Sequence, residues 1–354
     1  MTGPSKQPGT AAPRGETRLT LAFDMRAPDL GASPVSLYEA ALEQSAWADQ
    51  LGFTEVQLME HHASTDGYLP SPIVLGSAVA GVTSQLAINL CLVLLPLYDP
   101  LRVAEDLAVL DLISGGRLRL TVGLGYRREE YELFGVEMRR RPSLMEEAVE
   151  TLKHAWTGEP FDFRGRRVQI LPRPAQRPRP HITMGGSSPA SARRAARIAD
   201  GYYPIAPKLY EIYRDELVAL GKTPPAADES ATTTSGDVYV FVAEDPEREW
   251  ALIAPHAAHD TREYARWIDG RRGGSFGPVD DVEQLRKEGN YRVWTPSECI
   301  DHARERGALL FKPLVGGLDP AVGWRSLELF AAKVLPHLRA SGSSDAETSQ
   351  TSTG

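Results

Sequence analysis

The feature that most constrains this chain is a repeated alternation of short apolar runs with longer amphipathic segments, beginning at Leu19. "LTLAFDM" is followed by "LYEAALEQSAWADQLG", "FTEVQLM" by "SPIVLGSAVAGVTS", and "LAINLCLVLLP" by "DPLRVAEDLAVLDLISGG", before "RLRLTVGLG" opens another unit. Short apolar runs bounded by turn residues read as buried strands, and the segments between them carry helical periodicity. The rhythm resumes with the helix "SLMEEAVETLKHAWTG", the strand "HITMGG", the helix "SPASARRAARIAD" and the strand "GYYPI". "LYEIYRDELVALG", "GDVYVFVAED", "ALLFKPLVGG" and "GWRSLELFAAKVLPHLR" complete it. Roughly eight strands, most followed by a helix, predict an α/β fold of the (β/α)8 TIM-barrel type with insertions.

A chain of 354 residues with 42% hydrophobic content can bury one large α/β barrel or two ordinary domains, and the unbroken βα rhythm reads residues 19–340 as a single domain. Residues 1–18 and 341–354 are rich in Gly, Ser, Thr and Pro and are expected to be disordered tails. Two stretches depart from the alternation. "PFDFRGRRVQILPRPAQRPRP", near 160–180, reads as a hairpin with a proline-rich return. Residues 256–294 mix glycine clusters into helical composition and read either as a movable active-site cover or as a rigid dimer-contact insertion. A formal net charge of −8 argues against nucleic-acid or anionic-membrane binding. Cys91 and Cys299 are the only cysteines and lack C-x-x-C spacing, which points to a reducing, cytoplasmic setting. The N-terminal residues lack the apolar core of a signal peptide, and no membrane anchor is expected.

Glu60, His61 and His62 stand side by side immediately after the second predicted strand, in "VQLMEHHASTDGYLPSP". Neither a helix nor a continuing strand gives three adjacent side chains a common task, but the C-terminal end of a barrel strand does. There imidazole can exchange protons or hydrogen-bond a developing anion while a neighbouring carboxylate orients it. The alternative is that one histidine packs and the other caps the next helix. The other histidines form no metal-ligand motif, although His256 and His259 share i, i+3 spacing, and no G-x-S-x-G is present.

Two glycine-bearing segments suggest an anion site. "VGLGY" places Gly123, Gly125 and Tyr126 at a strand end, and "MGGSSPASARR" carries Gly185, Gly186, Ser187 and Ser188 from a strand into a helix. Glycines let backbone N–H groups approach a phosphate, serine hydroxyls add donors, and a helix N-terminus supplies a favourable dipole. A plain helix cap by Ser188 ahead of Pro189 accounts for the second segment equally well.

Taken in order, "EHH", "LPLYDPLRVAEDLAVLDLISGGRLRLTVGLGYRREEYELFGV", "GGSSPASARRAARIADGYYP" and "SLELFAAKVLPHL" resemble the bacterial-luciferase-like flavin-dependent oxidoreductases, over roughly Leu19 to Leu338. The resemblance implies a barrel that binds reduced FMN or, alternatively, the deazaflavin F420 at its C-terminal mouth. His61 matches the family's catalytic histidine, Glu60 its neighbouring carboxylate, and His62 a support for the turn. Cys91 and Leu92 fall where many relatives have a non-prolyl cis peptide beneath the flavin ring. Gly185, Gly186, Ser187 and Ser188 match the phosphate-binding turn, and Gly123, Gly125 and Tyr126 the other wall of the cofactor site. Leu124 stands where bacterial luciferase has a phosphate-binding arginine, leaving Arg127 or Arg128 as substitutes. The implied function is a monooxygenase that takes reduced FMN from a separate flavin reductase and oxidises a small organic substrate with O2 through a flavin (hydro)peroxide. An F420-dependent hydride-transfer enzyme and a non-catalytic flavin-binding partner subunit are the alternatives. The family also implies a homodimer or larger oligomer.

Overall fold

A computed structural model describes residues 17–225, 238–268 and 282–339. The tails read from the sequence lie outside those residues, except that Arg18 opens the first strand and its N–H donates to the Gly307 carbonyl. Eleven strands follow in chain order among the described residues. They are β1 (Arg18–Phe23), β2 (Glu55–Leu58), β3 (Ala87–Val93), β4 (Leu118–Val122), β5 (Phe161–Phe163), β6 (Arg166–Val168), β7 (Ile182–Gly186), β8 (Gly201–Pro204), β9 (Tyr239–Val242), β10 (Tyr291–Trp294) and β11 (Ala308–Phe311). The helices are α1 (Pro34–Gln50), α2 (Pro72–Val82), α3 (Pro100–Ser114), α4 (Arg128–Leu133), α5 (Arg141–Ala155), α6 (Pro189–Ile198), α7 (Pro207–Ala219), α8 (Pro246–Ile268), α9 (Val282–Glu288), α10 (Pro296–Arg306) and α11 (Pro320–Lys333).

Nine of the strands form one parallel sheet in the order β10-β9-β11-β1-β2-β3-β4-β7-β8, and β5 and β6 make the expected antiparallel hairpin. The last strand, β11, returns to pair with β1 from Arg18↔Ala308 to Leu21↔Phe311, as a barrel requires. Among the described residues no ladder joins β8 to β10. The eight-strand expectation is exceeded by β10, which lies inside the stretch read as an excursion and pairs in register with β9. That stretch otherwise divides between α8 and α9, with residues 269–281 outside the description.

Local chemistry explains the boundaries. Asp99 caps α3 by accepting from the Leu101 and Arg102 N–H groups, Pro100 starts it, and Gly115 ends it with φ +66°. Thr295 and Glu298 form a reciprocal capping box on α10. Strands β1 to β4 bury most of their residues on both faces, as parallel strands between a core and a helical layer must. Phe53, Phe311 and Phe330 pack with ring centroids 4.8–5.8 Å apart and join the sheet to α11, each buried ring contributing about 2–3 kcal/mol.

The two ends of the sheet carry different polar groups. At the ends where strands begin, Asp49 accepts the N–H groups of Ser84, Gln85 and Leu86, and the Arg117 guanidinium donates to the Ala80, Thr83 and Leu86 carbonyls. Both tasks tie off loops. The buried histidines and the dense ion pairs described next lie where strands end.

Candidate active site

β2 ends at Leu58, and the chain turns sharply so that Glu60, His61 and His62 are all buried. The turn is stitched by His61 N–H to the Leu69 carbonyl and by Leu69 N–H to the Asp24 carbonyl, and Ala63 adopts φ +50°. The adjacent histidines therefore diverge towards different partners. His61 Nδ1 is 2.7 Å from Glu130 Oε1, whereas His62 Nε2 is 2.7 Å from Glu60 Oε1.

The carboxylate that orients His61 is thus Glu130 on α4, not the neighbouring Glu60 named from the sequence. Glu60 instead accepts from Leu94 N–H at 3.0 Å and from the Tyr98 hydroxyl at 2.8 Å, tying the turn to the end of β3. Glu130 Oε1 also accepts the His62 N–H at 3.1 Å, and Arg127 donates to the His62 and Ala63 carbonyls. The Nη1 and Nη2 groups of Arg127 are taken up by that turn, and Arg128 lies on the surface 3.9 Å from Glu132.

Burial pulls the His61 pKa below 6.5; Glu130 opposes the shift, and Arg127 and Arg26 add to it. At neutral pH the ring is uncharged, with Nδ1–H donating to Glu130 and a lone pair on Nε2. Nε2 has no hydrogen-bond partner among the described residues. The arrangement is an oriented imidazole able to accept a proton or a hydrogen bond at one defined atom.

Rings surround His61. Tyr68, Tyr126, Tyr264 and Trp267 have centroids 4.9, 5.5, 6.0 and 4.7 Å from it. Other rings near the strand ends have different tasks. Tyr98 serves Glu60, Phe134 packs on His62, and Tyr202 bonds to Ser191. Beside the rings lies a buried ionic network that sequence reasoning missed. Arg26 pairs with Asp24, Asp66 and Asp260, and Lys312 with Asp24 and Asp260. Burial raises the Asp24 pKa against the pull of Lys312, while Lys312 and Arg26 bring Asp260 down to about 2 against its own burial. His259 donates to Asp66 at 2.8 Å and His256 to the Gly316 carbonyl at 2.8 Å, so this pair does not converge. Among the described residues no group of three His, Cys, Asp or Glu is placed to hold a metal ion.

On the β3, β4 and β7 side two of the remaining candidates, Gly123 and Gly185, meet one side chain. The Cys91–Leu92 peptide is cis, as the resemblance implies. The Leu92 side chain lies against both glycine segments. A Cβ at Gly123 would stand 2.5 Å from Leu92 Cδ1, and one at Gly185 2.9 Å from Leu92 Cδ2. Burial pushes the Cys91 thiol up to about 12, so it is no nucleophile. Gly125 takes φ +69° in the next turn, and Tyr126 is partly exposed at the rim. Ser188 caps α6 in a box with Ser191, Gly186 makes room for the Ser191 hydroxyl, and Ser187 is exposed at the helix N-terminus. The helix-cap reading of this turn is the one seen in the Ser188–Ser191 box.

Comparisons with known proteins agree with this architecture. The first curated relatives, two uncharacterised proteins of Sinorhizobium fredii, are matched over about half their length. The F420-dependent glucose-6-phosphate dehydrogenase of Amycolatopsis mediterranei is 26% identical over 85% of this chain and 95% of its own. The crystal structure of monooxygenase RslO1 from Streptomyces bottropensis superposes with TM-score 0.72 at 26% identity, covering 90% of this chain and 99% of that one. The oxygenating constituent of 3,6-diketocamphane monooxygenase of Pseudomonas putida, solved with FMN, shares the fold at TM-score 0.69 and 21% identity, over 91% of this chain and 98% of that one. The luciferase-like monooxygenase family model matches residues 20–306, and the chain belongs to that family.

Proposed function

We propose that this protein is a monooxygenase that uses reduced FMN, delivered by a separate flavin reductase, and O2 to oxidise a small organic substrate. The observation that carries the reading is His61, neutral and fixed by Glu130, with Nε2 free among the described residues and aromatic rings around it. The residues present fit a flavin. Leu92, flanked by glycines where a Cβ would press on its side chain, makes a shelf for a flat ring, and the N-terminus of α6 with Ser187 offers N–H and hydroxyl donors to a phosphate. When bound, reduced FMN supplies the electrons that activate dioxygen. The chain's own residues do the rest. His61 Nε2 holds or passes the proton of the oxygen being activated, Glu130 keeps Nδ1 protonated, and the tyrosine rings exclude water.

The rival reading is hydride transfer with F420, favoured by the likeness to an F420-dependent dehydrogenase over most of both chains. An anaerobic titration with reduced FMN and with reduced F420, followed by admission of O2, separates the two. Tight FMN binding with an oxygen-dependent spectral change supports the monooxygenase, and tight F420 binding without one overturns it. His61→Ala abolishes product formation and leaves FMN binding within about severalfold of wild type if His61 acts on oxygen chemistry and not on cofactor binding. A non-catalytic flavin-binding subunit would show binding and no turnover with either cofactor.

The same reading places the enzyme in the cytoplasm as a homodimer or larger oligomer. No helix among the described residues is long and apolar enough to cross a membrane. Val74 and Val82 on α2 and Val109, Leu112 and Ile113 on the adjacent α3 are exposed, which supports self-association. Sedimentation equilibrium measures it.

A further inference from the structure

Trp267 sits in the last turn of α8, yet its ring reaches into the mouth of the sheet. Its centroid is 4.7 Å from the His61 ring, 5.3 Å from Tyr264 and 5.8 Å from Tyr68. The guanidinium carbons of Arg26 and Arg127 lie 4.4 and 4.1 Å from it. Both arginines are buried, and Arg26 Nη2 and Arg127 Nε have no hydrogen-bond partner among the described residues. Unsatisfied buried donors beside a ring are costly unless an acceptor oxygen comes to them, and indole carries none.

We infer that the place filled by the Trp267 indole is a subsite for a planar, uncharged, electron-rich aromatic ring of the substrate, of phenol type, which enters as the indole leaves. A guanidinium over a ring face selects an electron-rich π-system, and a ring hydroxyl gives the unpaired N–H groups their acceptor. An anion is disfavoured. Around the subsite Asp24, Asp66, Asp260 and Glu130 outnumber Arg26, Lys312 and Arg127, four carboxylates to three cations. Nor is the subsite the flavin shelf. Of the groups around the Trp267 ring, Arg26, His61 and Tyr68 follow β1 or β2, Tyr264 belongs to α8 and Arg127 follows β4, whereas Leu92 and Gly185 lie on β3 and β7 and Gly123 directly follows β4.

This inference takes from the proposed function only that His61 is the reacting end of the site. Its test needs no turnover, so its failure is distinguishable from failure of the monooxygenase reading. The probe is 2-naphthol, titrated into wild type, Trp267→Ala and Trp267→Leu by calorimetry, with decahydro-2-naphthol as the saturated control and FMN titrated separately. If the indole competes for the subsite, both variants bind 2-naphthol about tenfold tighter than wild type, equivalent to about 1.4 kcal/mol, and the saturated alcohol gains much less. Trp267→Leu keeps an apolar side chain in place should the alanine variant prove unstable. An unchanged 2-naphthol affinity, an equal gain for the saturated alcohol, or a parallel loss of FMN affinity overturns the assignment.

Discussion

Replacing Glu130 by Gln isolates the charge behind His61. Oε1 of Glu130 accepts both His61 Nδ1–H at 2.7 Å and His62 N–H at 3.1 Å, and a glutamine carbonyl at the same place can accept both. Geometry is therefore kept while a charge-assisted hydrogen bond becomes a neutral one. The difference between bonds of the two kinds is about 1–1.5 kcal/mol, so turnover falls about tenfold if the imidazole carries partial positive charge in the rate-limiting step. Glu130 also holds the His61 pKa up against burial, so the variant titrates at lower pH than wild type, and wild type itself titrates below 6.5. The linkage sign agrees. With the folded pKa depressed, His61 contributes stability above its unfolded value, and that contribution is lost as the pH falls through the folded one. Long-range proton–nitrogen spectra of histidine-labelled protein, with His61→Ala for assignment, read tautomer and titration without a substrate. A His61 ring protonated on Nε2 alone at neutral pH, a midpoint at or above 6.5, or a midpoint unmoved in Glu130→Gln would refute the reasoning.

Gly123→Ala drives a methyl group into Leu92, so FMN affinity drops by an order of magnitude or more with a stability loss of about 1–3 kcal/mol; absorbance titration and urea unfolding measure the two. Lys312→Met leaves Asp24 and Asp260 buried with one cation in place of two, and costs about 3–5 kcal/mol in urea unfolding. Cys91, with its thiol pushed up to about 12, resists iodoacetamide at pH 8 in the folded protein and reacts once the protein is denatured, as mass spectrometry of the alkylated peptide records.

Most strands and helices were legible because apolar runs and turn residues punctuate them locally. β10 was not. "YRVW" is four residues long, sits between helical segments, and gains its identity only by pairing with β9, which lies about fifty residues earlier in the chain. His61 was legible because three adjacent polar residues after a strand have no structural reason to be buried. Its partner was hidden for the opposite reason. Glu130 lies in "RREEYE", which reads as a solvated face, and only the fold separates buried Glu130 from exposed Glu129 and Glu132. Asp24, Arg26 and Lys312 did leave a trace, since "AFDMR" and "LLFKP" each place charge directly after an apolar run, at the end of a strand where function gathers. What no local pattern gives is that Asp260, on a helix entered more than two hundred residues after β1, supplies the anion between them.

Because His259, Asp260, Tyr264 and Trp267 all face the site from α8, one segment between two strands holds most of what distinguishes one side of the pocket, while Leu92 and its glycines sit on strands it does not contain. Such a molecule can change its diet by inheritance of a single cassette. Under the proposed function, exchange of α8 among relatives would alter the substrate and spare the proposed cofactor shelf, on one condition: the donor helix must bring its own Asp260, or the recipient must surrender Lys312.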